Sequence, residues 1–461
     1  MSLPRLNIVV AIDKQNGFSK NNKIPWNLPE DRSFLKKKTI SNGKNVIIMG
    51  KDTYLTLPDQ YRPLPHRKNV VISSTLKEAN HPNIKIYKDL TTALIDIGKW
   101  SDIDKVYIGG GQRIYEEVIT QYLYLCQKIY VSHIPEDYLC DRFFPAEVLK
   151  LCQAKLKHQY LKFKIVVYKP QLKHQEYRYL DLITEVKTQG DYNNDRTGIG
   201  TYSLFGKQLE FDIRERIPAV TTKKLLYPMV IRELLWMISG STNSKILEEK
   251  GINIWKGNSS REFLDRRGLT SYFEGDIGPG YGFQYRHWGA KYSGYSADYT
   301  GQGIDQLSNV INEIKTNPSS RRLIVSAWNV ADLPLISLPP CHLLYQFNVS
   351  GEWLDCQVYQ RSADLFLGLP FNMLFYSILT YMVAHLTKLK PRKLSFCLGN
   401  AHIYSNHLEA VEKLLQRTPF PWAKLTFKDA EQINSIDQFT FENIEIKDYV
   451  SWSYIGAPMA V

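Results

Sequence analysis

Six cysteines in 461 residues, at positions 126, 140, 152, 341, 356 and 397, are too few for a disulfide scaffold, and their spacings are not those of a thiolate metal site. The chain is therefore expected to keep free thiols in a reducing, cytoplasmic setting and to need no metal. Long hydrophobic runs are also missing. The longest apolar stretch, Phe371 to Leu386, is interrupted by Asn372, Ser377, Thr380 and His385 and is shorter than the roughly 20 residues that cross a bilayer, so a buried helix and no membrane association is expected. Met1-Ser2-Leu3-Pro4-Arg5 leads into an apolar strand-like run without a charged head, hydrophobic body and small-residue cleavage site, so no export signal is expected. Internal repeats and low-complexity tracts are absent, and so is concentrated charge. The net charge is +12, yet the longest basic run is Lys36-Lys37-Lys38. Without a basic stripe interleaved with aromatics, a nucleic-acid partner is not expected, and the excess suits small anionic ligands. A basic RNA-binding protein is the alternative from another functional class, and no dedicated motif supports it.

What is present is ample core material, 44% hydrophobic and 12% aromatic residues, which suffices for two domains. In the first third, short β-branched runs recur at Asn7–Ile12, Asn45–Met49, Asn69–Ser73, Lys105–Ile108, Lys128–Ile134 and Lys164–Tyr168. Helix-like stretches at Pro29–Lys38, Leu90–Lys99 and Arg113–Gln121 separate several of them, an alternation that predicts an α/β domain with a mainly parallel sheet over residues 1–170. The polar segment 171–175 reads as a short linker. Beyond it, residues 176–461 open with a helical pattern at Glu176–Gln189 and place Ile304, Leu307, Val310, Ile311 and Ile314 at helix spacing. Strand-like runs follow at Leu323–Trp328, Leu343–Val349 and Leu354–Gln360, which makes this domain α+β. Gly275–Gly282 reads as a loop, because its glycines and proline do not sustain an element.

Three motifs within a little over thirty residues carry the strongest chemistry: Pro339-Pro340-Cys341-His342, Gln360-Arg361-Ser362-Ala363-Asp364 and Gly368-Leu369-Pro370-Phe371-Asn372. A cysteine attacks only as thiolate, and a neighbouring Arg or protonated His lowers its pKa; His342 adjoins Cys341 and is expected to contribute. An arginine fork matches phosphate, and an asparagine offers a donor and an acceptor to a base edge. A lone cysteine is more often a buried core residue, but this cluster suits attack on a phosphorylated pyrimidine. With Asp195-Arg196-Thr197-Gly198, Arg232-Glu233-Leu234-Leu235-Trp236, Ser320-Arg321-Arg322, Ser326-Ala327-Trp328-Asn329 and Ala401-His402-Ile403-Tyr404, in that order, the stretch from about Glu176 onward resembles thymidylate synthase. The resemblance implies reductive methylation of dUMP to dTMP by 5,10-methylenetetrahydrofolate, with Cys341 adding to carbon 6 of uracil. It also implies that Arg196, Arg361 and Ser362 bind the nucleotide phosphate, joined by Arg321 and Arg322 from the other subunit of an obligate homodimer. Asn372 then reads the base, His402 and Tyr404 hold the ribose, and His342, Gln360 and Asp364 complete the dUMP site. Glu233 organises proton transfer, while Asp364, Trp255, Asn258, Tyr281 and Val461, within the closing tail Ala457–Val461, line the folate pocket. Lys256 and Asn400 stand where the family commonly has acids.

The first domain offers Ile24-Pro25-Trp26-Asn27-Leu28-Pro29-Glu30-Asp31, which puts a carboxylate in the first turn of a helix, and Ile108-Gly109-Gly110-Gly111-Gln112-Arg113-Ile114-Tyr115, a glycine-rich strand-to-helix turn suited to a phosphate. An acid in a first turn is usually a dipole partner, and a glycine-rich turn alone is weak evidence of binding. With Met49-Gly50-Lys51-Asp52-Thr53-Tyr54, Ile72-Ser73-Ser74 and Arg62-Pro63-Leu64-Pro65-His66-Arg67, however, the region resembles dihydrofolate reductase. That implies NADPH-dependent reduction of dihydrofolate, with Asp31 as the catalytic acid. Val9, Val10, Leu35, Arg67 and Ser132 join it at the folate. Ala11, Gly17, Gly50, Lys51, Thr53, Ser73, Ser74, Gly110, Gly111, Gln112, Arg113 and Ile114 would hold the dinucleotide. Arg32 occupies a place that is usually apolar and Asp52 one that is often basic, so a chain with only the synthase active is the nearer alternative. Taken together, the chain resembles the bifunctional enzymes that join the two activities.

Overall fold

The computed structural model describes residues 2–76, 81–194 and 198–459. Its contacts divide the chain into two compact units, Met1–His174 and Gln175–Val461.

The first unit contains strands β1 (Leu6–Ile12), β2 (Gly17–Ser19), β3 (Val46–Gly50), β4 (Lys68–Ile72), β5 (Ile84–Tyr87), β6 (Val106–Ile108), β7 (Cys126–His133), β8 (Arg142–Phe143), β9 (Cys152–Gln159) and β10 (Lys164–Pro170). Eight of them form one sheet in the order β5-β4-β3-β6-β1-β7-β10-β9, and β2 pairs separately with β8. Pairing is parallel from β5 through β7 and antiparallel from β7 to β10 and from β10 to β9. Parallel neighbours need crossovers, and helices Pro29–Ile40, Lys51–Leu55, Leu90–Ile97 and Gln112–Gln121 supply them. A sheet covered on both faces takes continuous apolar strands, and Leu-Asn-Ile-Val-Val-Ala-Ile of β1 is buried almost throughout. Strand β9, Cys-Gln-Ala-Lys-Leu-Lys-His-Gln, lies at the edge and is almost wholly exposed, so it lacks the apolar signature and is not foreseen from the sequence.

The second unit opens on helix Glu176–Gln189 and is built around β11 (Asp191–Asn193), β12 (Thr201–Asp212), β13 (Ile324–Ser326), β14 (His342–Ser350), β15 (Trp353–Asp364) and β16 (Lys390–Tyr404). The sheet order is β11-β12-β16-β15-β14-β13, with only β15 and β16 parallel. Helix Gly368–Thr387 makes that one crossover and runs through the core. At 20 residues it is longer than the apolar stretch expected, and long enough by composition to cross a bilayer, but 78% of its most apolar window is buried inside the protein. The expected helix starting near Ile304 begins instead at Gln306: Ile304 exchanges backbone hydrogen bonds with Trp288, and Asp305 caps the helix by accepting from Ser308 N at 2.9 Å. The loop through Gly275 ends one residue early, since Gly282 starts helix Gly282–His287.

Candidate active sites

In the first unit, Asp31 sits in the first turn of helix Pro29–Ile40 with its side chain turned inward, and it is 4% exposed. Burial raises its carboxyl pKa above the ordinary value. The Ser132 hydroxyl, donating to Oδ1 at 2.5 Å, and the Arg32 guanidinium oppose that rise without cancelling it. Ser132 arrives on β7, in parallel register with Ala11 of β1, and Val9 and Val10 are buried on the same β1 strand. Leu35 packs half-buried against the cluster that contains Val9, Ile47 and Met49. Arg67 is buried. It donates to Pro65 O at 3.0 Å and to the Thr39 hydroxyl, and desolvation lowers its pKa to about 10.

The glycine turn lies between β6 and helix Gln112–Gln121 and is laced to β3. Gly109 N donates to Ile48 O and Gly50 N to Gly110 O, both at 2.8 Å. Gly110 has φ +109°, a conformation that favours glycine, and a Cβ there would stand 3.2 Å from the Tyr115 hydroxyl. The Gly110-Gly111 peptide is cis. A Cβ on Gly111 would approach Thr53 Oγ1 at 3.1 Å, and one on Gly17 would collide with Cys140 at 2.3 Å. Lys51 donates to Thr75 Oγ1 at 2.8 Å, while the buried Ser73 hydroxyl accepts from Thr75 N and Leu76 N. Gln112 is engaged within the fold, donating to Glu116 Oε1 at 2.8 Å and accepting from Phe143 N at 3.2 Å. Ser74 and Arg113 are exposed and Ile114 is buried.

In the second unit, Cys341 immediately precedes β14, and Tyr281 accepts its backbone N–H at 2.8 Å. Arg361 on the adjacent β15 donates to Pro340 O and Pro339 O, each at 2.8 Å, and its Nη2 reaches the Cys341 Sγ at 3.8 Å. A single guanidinium thus shapes the Pro-Pro-Cys backbone and places positive charge beside the thiol. His342 does not share that task, contrary to the expectation from adjacency. Its ring lies against Tyr281 at 4.5 Å, its Nδ1 is hydrogen-bonded to the Tyr376 hydroxyl at 2.6 Å, and burial lowers its pKa to about 3, so the imidazole is neutral. Cys341 lies just before the strand and faces Arg361, whereas His342, its first residue, is turned into the core against Tyr281, Phe375 and Tyr376.

Gln360 is 2% exposed and its Oε1 has no hydrogen-bond partner among the described residues, a buried acceptor suited to a ligand N–H or O–H. Asp364 accepts from Phe366 N at 2.9 Å and Leu367 N at 3.1 Å through one oxygen. Ser362 lies two residues before it on β15, and Asn372 stands partly exposed on helix Gly368–Thr387. Asp364 pairs in register with His402 of β16, whose Nδ1 meets the Asn400 side-chain oxygen at 3.0 Å, and the His402 ring packs on Tyr404 at 5.1 Å. Glu233, on helix Tyr227–Ile238, accepts from Trp255 Nε1 at 2.9 Å; burial pushes its carboxyl up to about 7 against the effect of that bond. Trp255 stacks edge-on to Tyr281 at 5.6 Å, so an unbroken chain of contacts joins Glu233 to the cysteine backbone. Asn258 is half-buried in the turn Gly257–Ser259. Arg321 and Arg322 are exposed just before β13, without ion-pair or hydrogen-bond partners for their guanidinium groups among the described residues. Arg196 and Val461 lie outside the described residues. Sequence reasoning missed Tyr376 and Thr39, which hold His342 and Arg67. Tyr376 follows Asn372 by four residues, one turn along the same helix, but its partner is visible only in three dimensions.

A buried carboxyl beside a glycine turn in one unit, and a thiol–guanidinium pair with a carboxyl tuned to neutrality in the other, define two separate centres: an oxidoreductase and a nucleotide methyltransferase on one chain. The thymidylate synthase family model matches residues 177–461, and the dihydrofolate reductase model matches residues 5–164. The chain is 40% identical over 502 residues to an Arabidopsis thaliana bifunctional dihydrofolate reductase-thymidylate synthase, covering 98% of this chain and 88% of the relative. It is 39% identical over 501 residues to the Leishmania major enzyme of that name, covering 100% and 96%, and 38% identical over 509 residues to the Zea mays enzyme, covering 98% and 96%. The chain belongs to the bifunctional dihydrofolate reductase-thymidylate synthase family, and it is an enzyme with both activities.

Proposed function

We propose that Cys341 is the nucleophile that bonds to carbon 6 of dUMP. The observation that carries this is the Arg361 guanidinium 3.8 Å from Sγ, locked in place by two proline carbonyls. A cation at that distance favours the thiolate, and the addition makes carbon 5 of the base nucleophilic. Bound 5,10-methylenetetrahydrofolate supplies the one-carbon unit and its reducing electrons. Asp364 holds its pterin with the oxygen not engaged by the backbone, and Trp255, Asn258 and Tyr281 line the pocket. Glu233, poised near neutrality, takes up and returns protons. The orphan Gln360 acceptor, Asn372, His402 and Tyr404 fix the nucleotide, and Arg361, Ser362 and Arg196 serve its phosphate. Arg321 and Arg322, exposed and with no partner for either guanidinium among the described residues, suit the phosphate of a partner subunit in a homodimer.

In the other domain Asp31 is the proton-handling acid, kept dry enough to hold a proton above the ordinary carboxylate range. NADPH supplies hydride when bound. The residues present fit it, because a Cβ at Gly110 or Gly111 would crowd Tyr115 or Thr53, Gly110 holds a φ of +109° that favours glycine, and Lys51 stands at a helix start beside Ser73 and Thr75. Arg67 is oriented by Thr39 toward an anionic end of the folate. Domain limits of 1–170 and 176–461, joined by 171–175, follow from the same assignment. The six free cysteines agree with a reducing, cytoplasmic compartment. The test is one assay with purified enzyme, dUMP, 5,10-methylenetetrahydrofolate and NADPH. Stoichiometric formation of dTMP and oxidation of NADPH supports the reading; dTMP without NADPH oxidation leaves only the synthase.

A further inference from the structure

His407 follows the Ala401-His402-Ile403-Tyr404 motif by three residues and takes no part in the mechanism above. It is fully buried. Its Nε2 lies 2.7 Å from the carbonyl oxygen of Pro458, and a carbonyl only accepts, so Nε2 carries the hydrogen and the tautomer is fixed. The other ring nitrogen, Nδ1, has no hydrogen-bond partner among the described residues and stands 4.0 Å from Asp364 Oδ1. The ring also packs on Phe366 at 5.6 Å and on Tyr404 at 5.4 Å. One imidazole therefore touches the segment that leads to the end of the chain, the carboxylate assigned to the pterin and the tyrosine assigned to the ribose.

We propose that His407 is a positioning residue that couples the C-terminal segment 457–459 to the folate-binding carboxylate, its Nε2–H gripping Pro458 while Nδ1 faces Asp364. The coupling follows from rigidity. The ring that holds Pro458 is wedged against Tyr404 and Phe366, and the Phe366 N–H donates to Asp364 Oδ1 at 2.9 Å, so displacement of the segment disturbs Asp364 and occupation of Asp364 steadies the segment. This rests on the assignment of Asp364 to the folate.

The test compares His407→Phe, which keeps a ring but loses both nitrogens, with His407→Gln, which keeps an N–H donor within reach of Pro458. The Phe variant is expected to raise KM for 5,10-methylenetetrahydrofolate about tenfold, the size expected for one lost buried hydrogen bond, while its affinity for dUMP stays near that of the wild type. In hydrogen exchange of the complex with 5-fluoro-dUMP and 5,10-methylenetetrahydrofolate, peptides spanning 455–459 should be protected in the wild type and the Gln variant and unprotected in the Phe variant. Wild-type KM and protection in the Phe variant would overturn the proposal, and so would equal losses of folate and dUMP binding in both variants. If the Phe variant does not fold, the Gln variant decides: unprotected segment peptides in a folded Gln variant that binds dUMP also overturn it. Asp364→Ala separates the underlying reading, because an unchanged folate KM there refutes the role of Asp364 whatever His407 does.

Discussion

At the scale of single residues, environment rather than identity sets the chemistry. The two carboxyls assigned to catalysis are raised by burial, and each meets a hydrogen-bond donor that pulls the other way: Ser132 for Asp31 and Trp255 for Glu233. A raised pKa keeps Asp31 protonated to higher pH, so reductase kcat/KM should fall as pH rises through it. Ser132→Ala removes a bond that favours the ionised form, and the falling limb should move to higher pH. Asp31→Asn should abolish that limb and lower the rate by roughly 10²- to 10⁴-fold, read as NADPH oxidation across a pH series. In the synthase, Glu233 titrates at about 7, so the rate of dTMP formation should show a step near neutrality. Trp255→Phe should shift the step upward and Glu233→Gln should erase it. These side chains were legible in the sequence as types at the right spacing, but their tuning was not. Cys341 and His342 show why. Adjacency along the chain suggests a cationic neighbour, whereas the fold turns the imidazole into a dry pocket with Tyr376 and leaves Arg361, twenty residues on, to face the sulfur.

At the scale of elements, legibility followed burial. Strand β1 is apolar because both faces are covered, and helix Glu176–Gln189 shows its period because one face is. Edge strand β9 carries no such pattern, and the start of helix Gln306–Thr316 is decided by a cap and a bridge to Trp288 that periodicity does not register. Close approaches between elements are likewise visible only once folded. A Cβ on Gly282 would lie 2.2 Å from Met237 O of helix Tyr227–Ile238, and backbone cannot yield as a side chain does. Gly282→Ala should therefore cost roughly 1–3 kcal/mol of stability, seen as a lower thermal midpoint for synthase unfolding. Gly110→Ala combines a φ of +109° with contact against Tyr115, and it should weaken NADPH binding while leaving dTMP formation intact. Isothermal titration with NADPH reads this directly.

For the whole molecule, two activities share one chain, and the order of motifs alone separated them. The family resemblance assigns Arg321 and Arg322 to the phosphate of the other subunit, and their exposure, with no partner for either guanidinium among the described residues, suits that proposal. Cys341→Ser and Arg322→Ala chains should each be nearly inactive as synthases. Mixed after reversible dissociation, they should recover up to about one quarter of wild-type activity, because a random mixture puts one intact site in half of its dimers. Reductase activity should be unaffected in every sample. The central claim is the sulfur at position 341. Incubation of the enzyme with 5-fluoro-dUMP and 5,10-methylenetetrahydrofolate, followed by peptide mass spectrometry, should find nucleotide and folate joined on Cys341 alone; an unmodified Cys341, or the same adduct on another cysteine, would contradict the account.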